Sequence, residues 1–442
     1  MSRAFMLYAL TACGARPWLA PLLILTLAGV LPAQEAGIVG TVTDASQAAI
    51  RGVSITVTNV ETGVERRATT DDQGRFSISP LAIGRYALRA EFSGFRTTTV
   101  TDVYLTIGQI GRVDVVMQVG QVTEQVEVKD TAPLLQAEQA AVGASVENKK
   151  IVDLPLNGRD FVQLVALTPG AAGSTSAWET GNSLVTLSGQ RSTKTTSTID
   201  GVLNIDQLFQ GFPVSPNVDA IEEFRVQSGN FTADQGMGAS NIAIRLKSGT
   251  NAIHGSLFEF LRNEKMDARG FFAEDRELLK RNQFGGAIGG PIKKDKIFYF
   301  GAFEGTRERS AYTQIYRVAT AAQRQGDFSG FGTIIDPLTA NPFSENRIPA
   351  DRINQVATYF TPFFPEPNYE DMLFRRSAST KFDRDQFNIR YDHYLSDKSR
   401  FFVNYTLNDN NRFDPASLPK QGGLSREGRA QNAGVNWNYV IS

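Results

Sequence analysis

The stretch KIFYFGAFE, residues 296–304, is the clearest strand of the sequence, and it stands between the charged run KKDK and Gly305. Comparable aromatic strands occupy residues 256–262, 283–291, 387–392 and 400–406. The last two flank a short polar turn at 396–398 and are expected to pair across it. Alternating polarity with aromatic residues at the strand ends is typical of transmembrane β-barrels. We therefore predict barrel strands over residues 251–442, with the edge of a soluble β-sandwich as the alternative.

The composition excludes several classes of function. The chain carries 45 basic and 46 acidic side chains without a dense basic block. This balance argues against a nucleic-acid partner, because phosphates demand a positive surface. His254 and His393 stand alone, and the sequence contains no HExxH, GxSxG, Cys/His cluster or phosphate-binding glycine motif. We predict no catalytic residue, no metal site and no cofactor, and we do not expect an enzyme.

Regular alternation fails between residues 306 and 381, where six prolines interrupt the chain. Long irregular segments are usually functional, and barrels carry their long loops on the extracellular side. We predict a loop that contacts a ligand; an insertion without function is the alternative.

The sequence pattern of residues 34–119 predicts a compact β-sandwich. Val53, Ile55 and Val57 alternate with polar residues, which is the period of a half-buried strand. The run TDDQGRF, residues 70–76, indicates a turn before the next strand, because Asp and Gly suit turns. A calcium site at Asp71 and Asp72 is disfavoured, since calcium takes about six to eight oxygens. Short strands separated by turn signals favour a sandwich of the seven-strand type.

The same region resembles a known domain. The stretches GTVTDASQAAIRGVSITVTN (40–59) and TTDDQGRFSISPLAIGRYALRAEFSGF (69–95) are similar to the carboxypeptidase regulatory-like domain. That domain is a transthyretin-like β-sandwich, also described as carbohydrate-binding-like. The resemblance implies an accessory domain without catalytic activity.

Residues 131–250 are rich in Gly, Ser, Thr, Asn and Asp, and five motifs begin within them in order. The motifs are LPLNGRDF (154–161), LTPG (167–170), IDG (199–201), IEEFRVQSGNFTADQG (221–236) and NIAIRLKSGTNAIHGSLFEFLRN (241–263). Together they resemble the α+β plug domain of TonB-dependent transporters of the Oar-like, starch-utilisation-related group. The plug-motif residues that the resemblance singles out are Leu154, Pro155, Leu156, Asn157, Gly158, Arg159, Asp160, Asp200 and Gly201.

Between the sandwich and the plug, residues 120–130 contain the alternating run VTEQVEV. We expect no neighbouring sheet for this strand, so a partner could capture it by β-augmentation. It resembles a TonB box, which implies binding to a TonB-like energy-coupling protein; the last strand of the sandwich or an ordered linker is the alternative. The box-like residues are Thr123, Glu124, Gln125, Val126, Glu127 and Val128.

The resemblance implies a mainly β outer-membrane receptor that imports an extracellular ligand through a plugged barrel. The partners it implies are outer-membrane lipid, the coupling protein and a ligand, either an oligosaccharide, a peptide or a chelated metal. A secretion or surface-adhesion protein whose sandwich binds glycan or protein is the alternative. Because the sequence ends at WNYVIS within a predicted strand, we also expect a C-terminally truncated, incomplete barrel.

Residues 1–33 have the pattern of a secretory signal peptide. Arginines precede the apolar run LAPLLILTLAGV, which is shorter than the roughly 20 residues that a membrane span needs. A membrane anchor and a lipoprotein cleavage site at Cys13 are the alternatives.

We predict that the mature chain begins at or near Gln34, because the small residue Ala33 follows the apolar run. Mass spectrometry of the outer-membrane form should find this terminus. Retained Met1, or a lipid on Cys13, would contradict the prediction.

Overall fold

The computed structural model describes residues 35–120, 125–129, 143–154, 156–172, 185–191, 194–206, 211–228, 240–269, 271 and 276–440. The predicted signal peptide lies outside these residues. The chain forms three units, which we name after the domains that the sequence resembles: the sandwich (35–129), the plug unit (143–252) and the barrel sheet (254–440). The fold is mainly β, as predicted. Within the described part of the chain, no helix is both long and apolar enough to cross a membrane.

Two sheets form the sandwich. Its strands are β1 (Ala36–Asp44), β2 (Ser54–Asn59), β3 (Glu65–Thr69), β4 (Arg75–Leu81), β5 (Gly84–Glu91), β6 (Thr97–Leu105), β7 (Ile110–Arg112), β8 (Val115–Met117) and β9 (Gln125–Lys129). In one sheet β1 pairs antiparallel with β4 and parallel with β7 and β8. The other sheet has the order β3-β2-β5-β6-β9.

Alternate residues of these strands form the sandwich core. Ile55 and Val57 on β2 are fully buried while Ser54 is exposed, which confirms the predicted half-buried strand. The predicted turn before β4 is also present, because the Asp71 carboxylate accepts hydrogen bonds from the backbone N–H groups of Gln73 and Arg75, both at 2.9 Å. Asp71 therefore stabilises a turn through its own downstream backbone.

The strand β9 corrects one expectation. We expected no neighbouring sheet for the box-like run, but Gln125–Lys129 pairs in parallel with β6. The register runs from Thr97 opposite Gln125 to Thr101 opposite Lys129. The alternation of the run predicted a strand correctly. Its partner β6 could not be predicted, because β6 lies more than twenty residues earlier in the sequence and no local pattern indicates the pairing.

In the described residues, the plug unit combines a five-stranded mixed sheet and a two-stranded sheet with two short α-helices and a 3-10 helix at Val218–Ala220. Its elements are β10 (Gly143–Glu147), α1 (Asn148–Asp153), α2 (Val162–Val165), β11 (Ala171–Ala172), β12 (Thr186–Leu187), β13 (Thr195–Ile199), β14 (Val202–Leu203), β15 (Ile221–Ser228) and β16 (Ser240–Leu246). The five-stranded sheet has the order β10-β15-β16-β13-β14. Phe161, Val165, Phe224 and Ile244 are buried in its core, which continues onto Phe300 of the barrel sheet.

The barrel sheet is an antiparallel meander in sequence order. Its strands are β17 (His254–Asn263), β18 (Leu279–Lys293), β19 (Ile297–Arg317), β20 (Leu373–Ser396), β21 (Ser399–Pro415) and β22 (Gly423–Tyr439). The predicted pairing of 387–392 with 400–406 is confirmed, with Phe387 opposite Leu407 and Asp392 opposite Phe402.

The polarity of this sheet is the reverse of that of a soluble sheet. On β20 the residues facing the plug unit are polar and buried, namely Gln386, Asn388, Arg390 and Asp392. The alternate residues Phe387 and Ile389 face outward and are exposed. An apolar outer face with a polar inner face is how barrel strands contact lipid outside and a polar interior inside.

β19 and β20 also extend into the segment that we predicted to be irregular. β19 continues to Arg317 and β20 begins at Leu373, so the segment between the strands is confined to residues 318–372. It contains the short α-helices Ala321–Arg324 and Gln355–Phe360 and three 3-10 helices, Ser344–Asn346, Ala350–Arg352 and Thr361–Phe363. In the added part, charged side chains pair diagonally across the ladder, for example Arg309 with Asp383 at 2.7 Å. Backbone pairing continues there although the side chains on both faces are mostly polar. The alternation of polar and apolar residues therefore ends before the strands end.

Connections between the barrel strands alternate in length. Residues 294–296 and 397–398 form short turns at one end of the sheet. The longer connections follow Asn263, Arg317 and Pro415 at the other end. The sheet therefore has a short-turn end and a long-loop end. The sandwich contacts the short-turn end, where Asn438 Nδ2 donates to Glu35 Oε1 at 3.2 Å.

Candidate functional site

The IDG turn places a carboxylate against the inner face of the barrel sheet. Asp200 and Gly201 form the two-residue connection between β13 and β14, in which Ile199 pairs with Val202. Their φ angles are 48° and 85°, and a type I′ turn requires positive φ at both positions, which favours Asp-Gly. The turn therefore orients Asp200, which is 2% exposed.

Arg390 of β20 is the principal partner of Asp200. Its Nη1 lies 2.8 Å from Asp200 Oδ1, and its Nε lies 2.8 Å from Asp392 Oδ2. Asn404 Nδ2 donates to Asp200 Oδ2 at 2.9 Å, and the Leu246 N–H donates to Oδ1 at 3.3 Å. Both oxygens of Asp200 are thus hydrogen-bonded, partly to the plug unit and partly to the barrel sheet.

Two further arginines and one more carboxylate complete the group. Arg400 Nη2 lies 2.9 Å from Asp392 Oδ1, and its Nη1 lies 3.4 Å from Glu35 Oε2. Arg245 Nε lies 3.4 Å from Asp200 Oδ1, and its Nη2 lies 3.5 Å from Glu35 Oε1. We call these six residues the charge cluster: Glu35, Asp200, Arg245, Arg390, Asp392 and Arg400.

All three arginines of the charge cluster lie against the ring of Phe402. The guanidinium carbons of Arg390, Arg245 and Arg400 are 4.4, 5.0 and 5.3 Å from the ring centroid. A desolvated cation–π contact contributes about 2 kcal/mol. Like charges at such distances repel, so the arrangement requires the three carboxylates that neutralise them. The charge cluster joins all three units, since Glu35 comes from the sandwich, two residues from the plug unit and three from the barrel sheet.

Arg159 of the LPLNGRDF motif forms a second contact of the same kind. Its guanidinium pairs with Asp219, and its Nε lies 3.1 Å from Glu304 Oε2 on β19. The rings of Phe258 and Phe260 lie 4.1 and 5.0 Å from its guanidinium carbon. Because Glu304 is fully buried, Arg159 supplies the cation that its carboxylate requires.

Other residues of this motif have local or bridging roles. Asn157 Oδ1 accepts hydrogen bonds from Arg281 Nη1 at 2.7 Å and Arg262 Nη1 at 3.3 Å, both on the barrel sheet. Asp160 Oδ1 accepts from the Val162 N–H at 3.0 Å at the start of α2.

The remaining motif positions serve the backbone and the core. Gly158 has a φ of 79°, a left-handed conformation that favours glycine. Leu156 packs on the plug core, whereas Leu154 is exposed. Pro155 lies outside the described residues.

Sequence reasoning missed five members of the charge cluster: Glu35, Arg245, Arg390, Asp392 and Arg400. One signal was available. In the run FNIRYDHY, Arg390 and Asp392 occupy the positions that alternate with Ile389 and Tyr391, so charge stands on one face of an otherwise aromatic strand. That pattern indicates a polar partner inside the sheet.

The sandwich is fixed to the other two units by a second set of polar contacts. Asn251, which joins the plug unit to β17, donates through Nδ2 to Thr62 O at 2.8 Å and to Asp295 Oδ1 at 2.7 Å. Its own backbone N–H donates to Glu61 O at 3.0 Å. One amide side chain therefore links the β2–β3 turn of the sandwich to the short-turn end of the barrel sheet.

The plug strand β15 also binds the peptide backbone at Ile107, and we call this contact the Ile107 clasp. The Ile107 N–H donates to Glu223 Oε2 at 3.2 Å, and Arg225 Nη1 donates to Ile107 O at 2.7 Å. All three residues are buried. Burial raises the pKa of Glu223 to about 7, although hydrogen bonds from Ser145 and Ile107 and the charge of Arg225 oppose the shift.

The box-like residues lie at the edge of the sandwich. Gln125, Val126, Glu127 and Val128 belong to β9, whereas Thr123 and Glu124 lie outside the described residues. A coupling role for this strand stays a prediction. Among the residues that the structure describes, no three His, Cys, Asp or Glu side chains are grouped so that they could hold a metal ion.

Two family models match the chain. The carboxypeptidase regulatory-like domain matches residues 37–118, and the outer membrane beta barrel domain matches residues 245–442. The TonB-dependent transporter Oar of Myxococcus xanthus is 27% identical over 301 residues, which is 64% of this chain and 28% of that protein. The chain therefore spans less than a third of the length of this relative.

Solved structures with similar parts include two receptors. The siderophore receptor PirA of Acinetobacter baumannii is 16% identical, covers 66% of this chain and 43% of its own, and has a TM-score of 0.32. A point mutant of the ferric enterobactin receptor PfeA of Pseudomonas aeruginosa is 13% identical, with coverages of 66% and 45% and a TM-score of 0.33.

We predict that Asp200→Asn destabilises the contact between the plug unit and the barrel sheet by about 3–5 kcal/mol, because it leaves three buried arginines with only two carboxylates. The control Asp409→Asn breaks an exposed pair with Arg429 and should cost less than about 1 kcal/mol. Hydrogen exchange of the β13 and β16 amides as a function of urea concentration measures the loss of stability in both variants. Equal effects of the two substitutions would show that the charge cluster does not hold the plug unit.

We predict that Glu223→Gln removes a pH dependence from the Ile107 clasp. Because the native pKa of about 7 lies above the ordinary 4.5, stability should fall as pH rises through this window, by up to about 3 kcal/mol. Thermal unfolding at about pH 5 and about pH 8 tests this, with the exposed Glu65→Gln as the control. A glutamine variant with the wild-type pH slope would contradict the assignment.

Proposed function

Because the chain combines a carboxypeptidase regulatory-like domain with an outer membrane beta barrel domain and is related to a TonB-dependent transporter, we propose that it acts as a TonB-dependent outer-membrane receptor. The receptor binds an extracellular ligand and imports it through a plugged barrel. A TonB-like inner-membrane complex supplies the energy.

The observation that carries this proposal is the reversed polarity of the barrel sheet together with the charge cluster inside it. Exposed outward residues such as Phe387, Ile389 and Val435 suit contact with lipid. The polar inner face is buried by the plug unit, and the carboxylates of Asp200 and Glu35 neutralise its arginines. A folded unit held by polar contacts can block a lumen and still be rearranged, because ion pairs and hydrogen bonds can exchange for water as it moves.

The long-loop end supports contact with a ligand. Residues 318–372 carry an aromatic group in which Tyr359, Phe360 and Phe363 lie within 5.3–6.3 Å of one another, ring centroid to ring centroid. All three are exposed. Arg352 and Asp336 brace the same loop with hydrogen bonds of 3.1 and 2.8 Å. An ordered loop with exposed aromatic rings offers a surface for an oligosaccharide, a peptide or the organic shell of a chelated metal.

The short-turn end supports energy coupling. Barrels place their short turns in the periplasm. The sandwich and β9 lie at this end, so the box-like strand is on the side from which an inner-membrane protein would reach it. An edge strand is a ready template for β-augmentation.

We predict that Val126→Pro abolishes import in the full-length protein, because proline removes a backbone donor from the strand that the partner pairs with. The control Val126→Ile keeps that donor. A strain lacking the gene, complemented with each form, is grown on maltoheptaose as carbon source, on a peptide digest as nitrogen source, or on ferric citrate as iron source. In at least one of these conditions, growth should depend on the wild-type gene and should fail with the Val126→Pro form. Equal growth of the two variants wherever the gene is required would place the coupling strand elsewhere.

A further inference from the structure

The edge of the sandwich at β9 is paired on one side only. β9 is the terminal strand of the order β3-β2-β5-β6-β9, and its inner edge is hydrogen-bonded to β6. Among the described residues, no strand pairs with its outer edge. Successive N–H groups of a strand point to opposite edges, so β9 retains donors and acceptors for a second partner while it remains part of the sandwich.

The part of β6 that pairs with β9 is buried. Thr97, Thr98 and Val100 on β6 are buried, and they stand opposite Gln125, Val126 and Val128. Release of β9 would leave the backbone of this row without its ladder partners, and unpaired backbone groups in a buried setting are costly. A partner that adds to the outer edge avoids that cost.

β6, the strand that pairs with β9, lies next to a contact with the plug unit. It ends at Leu105, and two residues later the chain reaches the Ile107 clasp. There Glu223 and Arg225 of β15 hold both the N–H and the carbonyl of one residue. A load applied to β9 through the sheet therefore reaches β15 through buried hydrogen bonds, and the Asn251 contacts and Glu35 connect the same sandwich to the barrel sheet.

We propose that the sandwich is the docking platform for the energy-coupling partner: an extended strand of that protein pairs with the outer edge of β9 while β9 stays on β6, and the Ile107 clasp passes the load to the plug unit. This inference rests on the proposed function, and it adds that the box-like strand is not released. The sandwich and the partner then form one continuous sheet.

A disulfide between β6 and β9 tests the inference. Thr99 and Glu127 stand opposite each other, and neighbouring strands lie at about 4.8 Å, within the range for a disulfide. The full-length protein carries Thr99→Cys and Glu127→Cys in a Cys13→Ser background, and the single-cysteine forms are the controls. The probe is the purified periplasmic domain of the TonB-like protein from the same cell, with the Kd measured before and after oxidation.

We expect the oxidised form to bind the probe with a Kd within about twofold of that of the reduced form. A loss of about tenfold or more on oxidation, restored by reductant and absent from the single-cysteine controls, would overturn the inference, because β9 would then have to leave β6. If the wild type itself does not bind the probe, the proposed function fails and the inference fails with it.

Hydrogen exchange on the wild type gives an independent answer that needs no cysteine. On binding of the probe, the amides of residues 125–129 should gain protection while those of 97–101 keep theirs. A loss of protection in 97–101 would show that β9 has been pulled off the sandwich.

Discussion

The structure depends on the burial of a polar sheet face. Barrel strands that turn phenylalanine and isoleucine outward place their alternate residues inward, and on β20 and β21 these include Arg390, Asp392 and Arg400. Buried charges require partners, because removal from water is otherwise too costly. The plug unit supplies Asp200 as a partner of Arg390, so it fits this interior by charge. The same constraint explains the pairing of Arg159 with Glu304.

The sandwich participates in this arrangement and is not a separate appendage. Glu35 supplies one of the three carboxylates of the charge cluster, and the Ile107 clasp and Asn251 fix the sandwich at two further places. These contacts are polar, which suits an interface that must hold at rest and rearrange under load. The sandwich therefore occupies the short-turn end as part of the transporter machinery that we propose.

Much of this was readable from the sequence. Alternation predicted β2, the aromatic barrel strands and their pairing across residues 396–398, and the IDG and LPLNGRDF motifs pointed to Asp200 and Arg159. The partners of these residues were not readable, because Asp200 and Arg390 lie 190 positions apart and no local pattern joins them. The extensions of β19 and β20 were missed because their side chains are polar on both faces, and the partner of β9 because pairing leaves no trace in the strand itself.

A double-mutant cycle on Asp200 and Arg390 measures most directly whether the charge cluster holds the plug unit against the barrel sheet. For Asp200→Asn, Arg390→Gln and the double variant, hydrogen exchange in urea would measure the free energy of the opening that exposes the amides of β13 and β16. We expect a coupling energy of about 3 kcal/mol or more, since the second substitution removes the excess buried positive charge that the first one created. Additive effects, within about 0.5 kcal/mol, would mean that the two residues act independently and would contradict it.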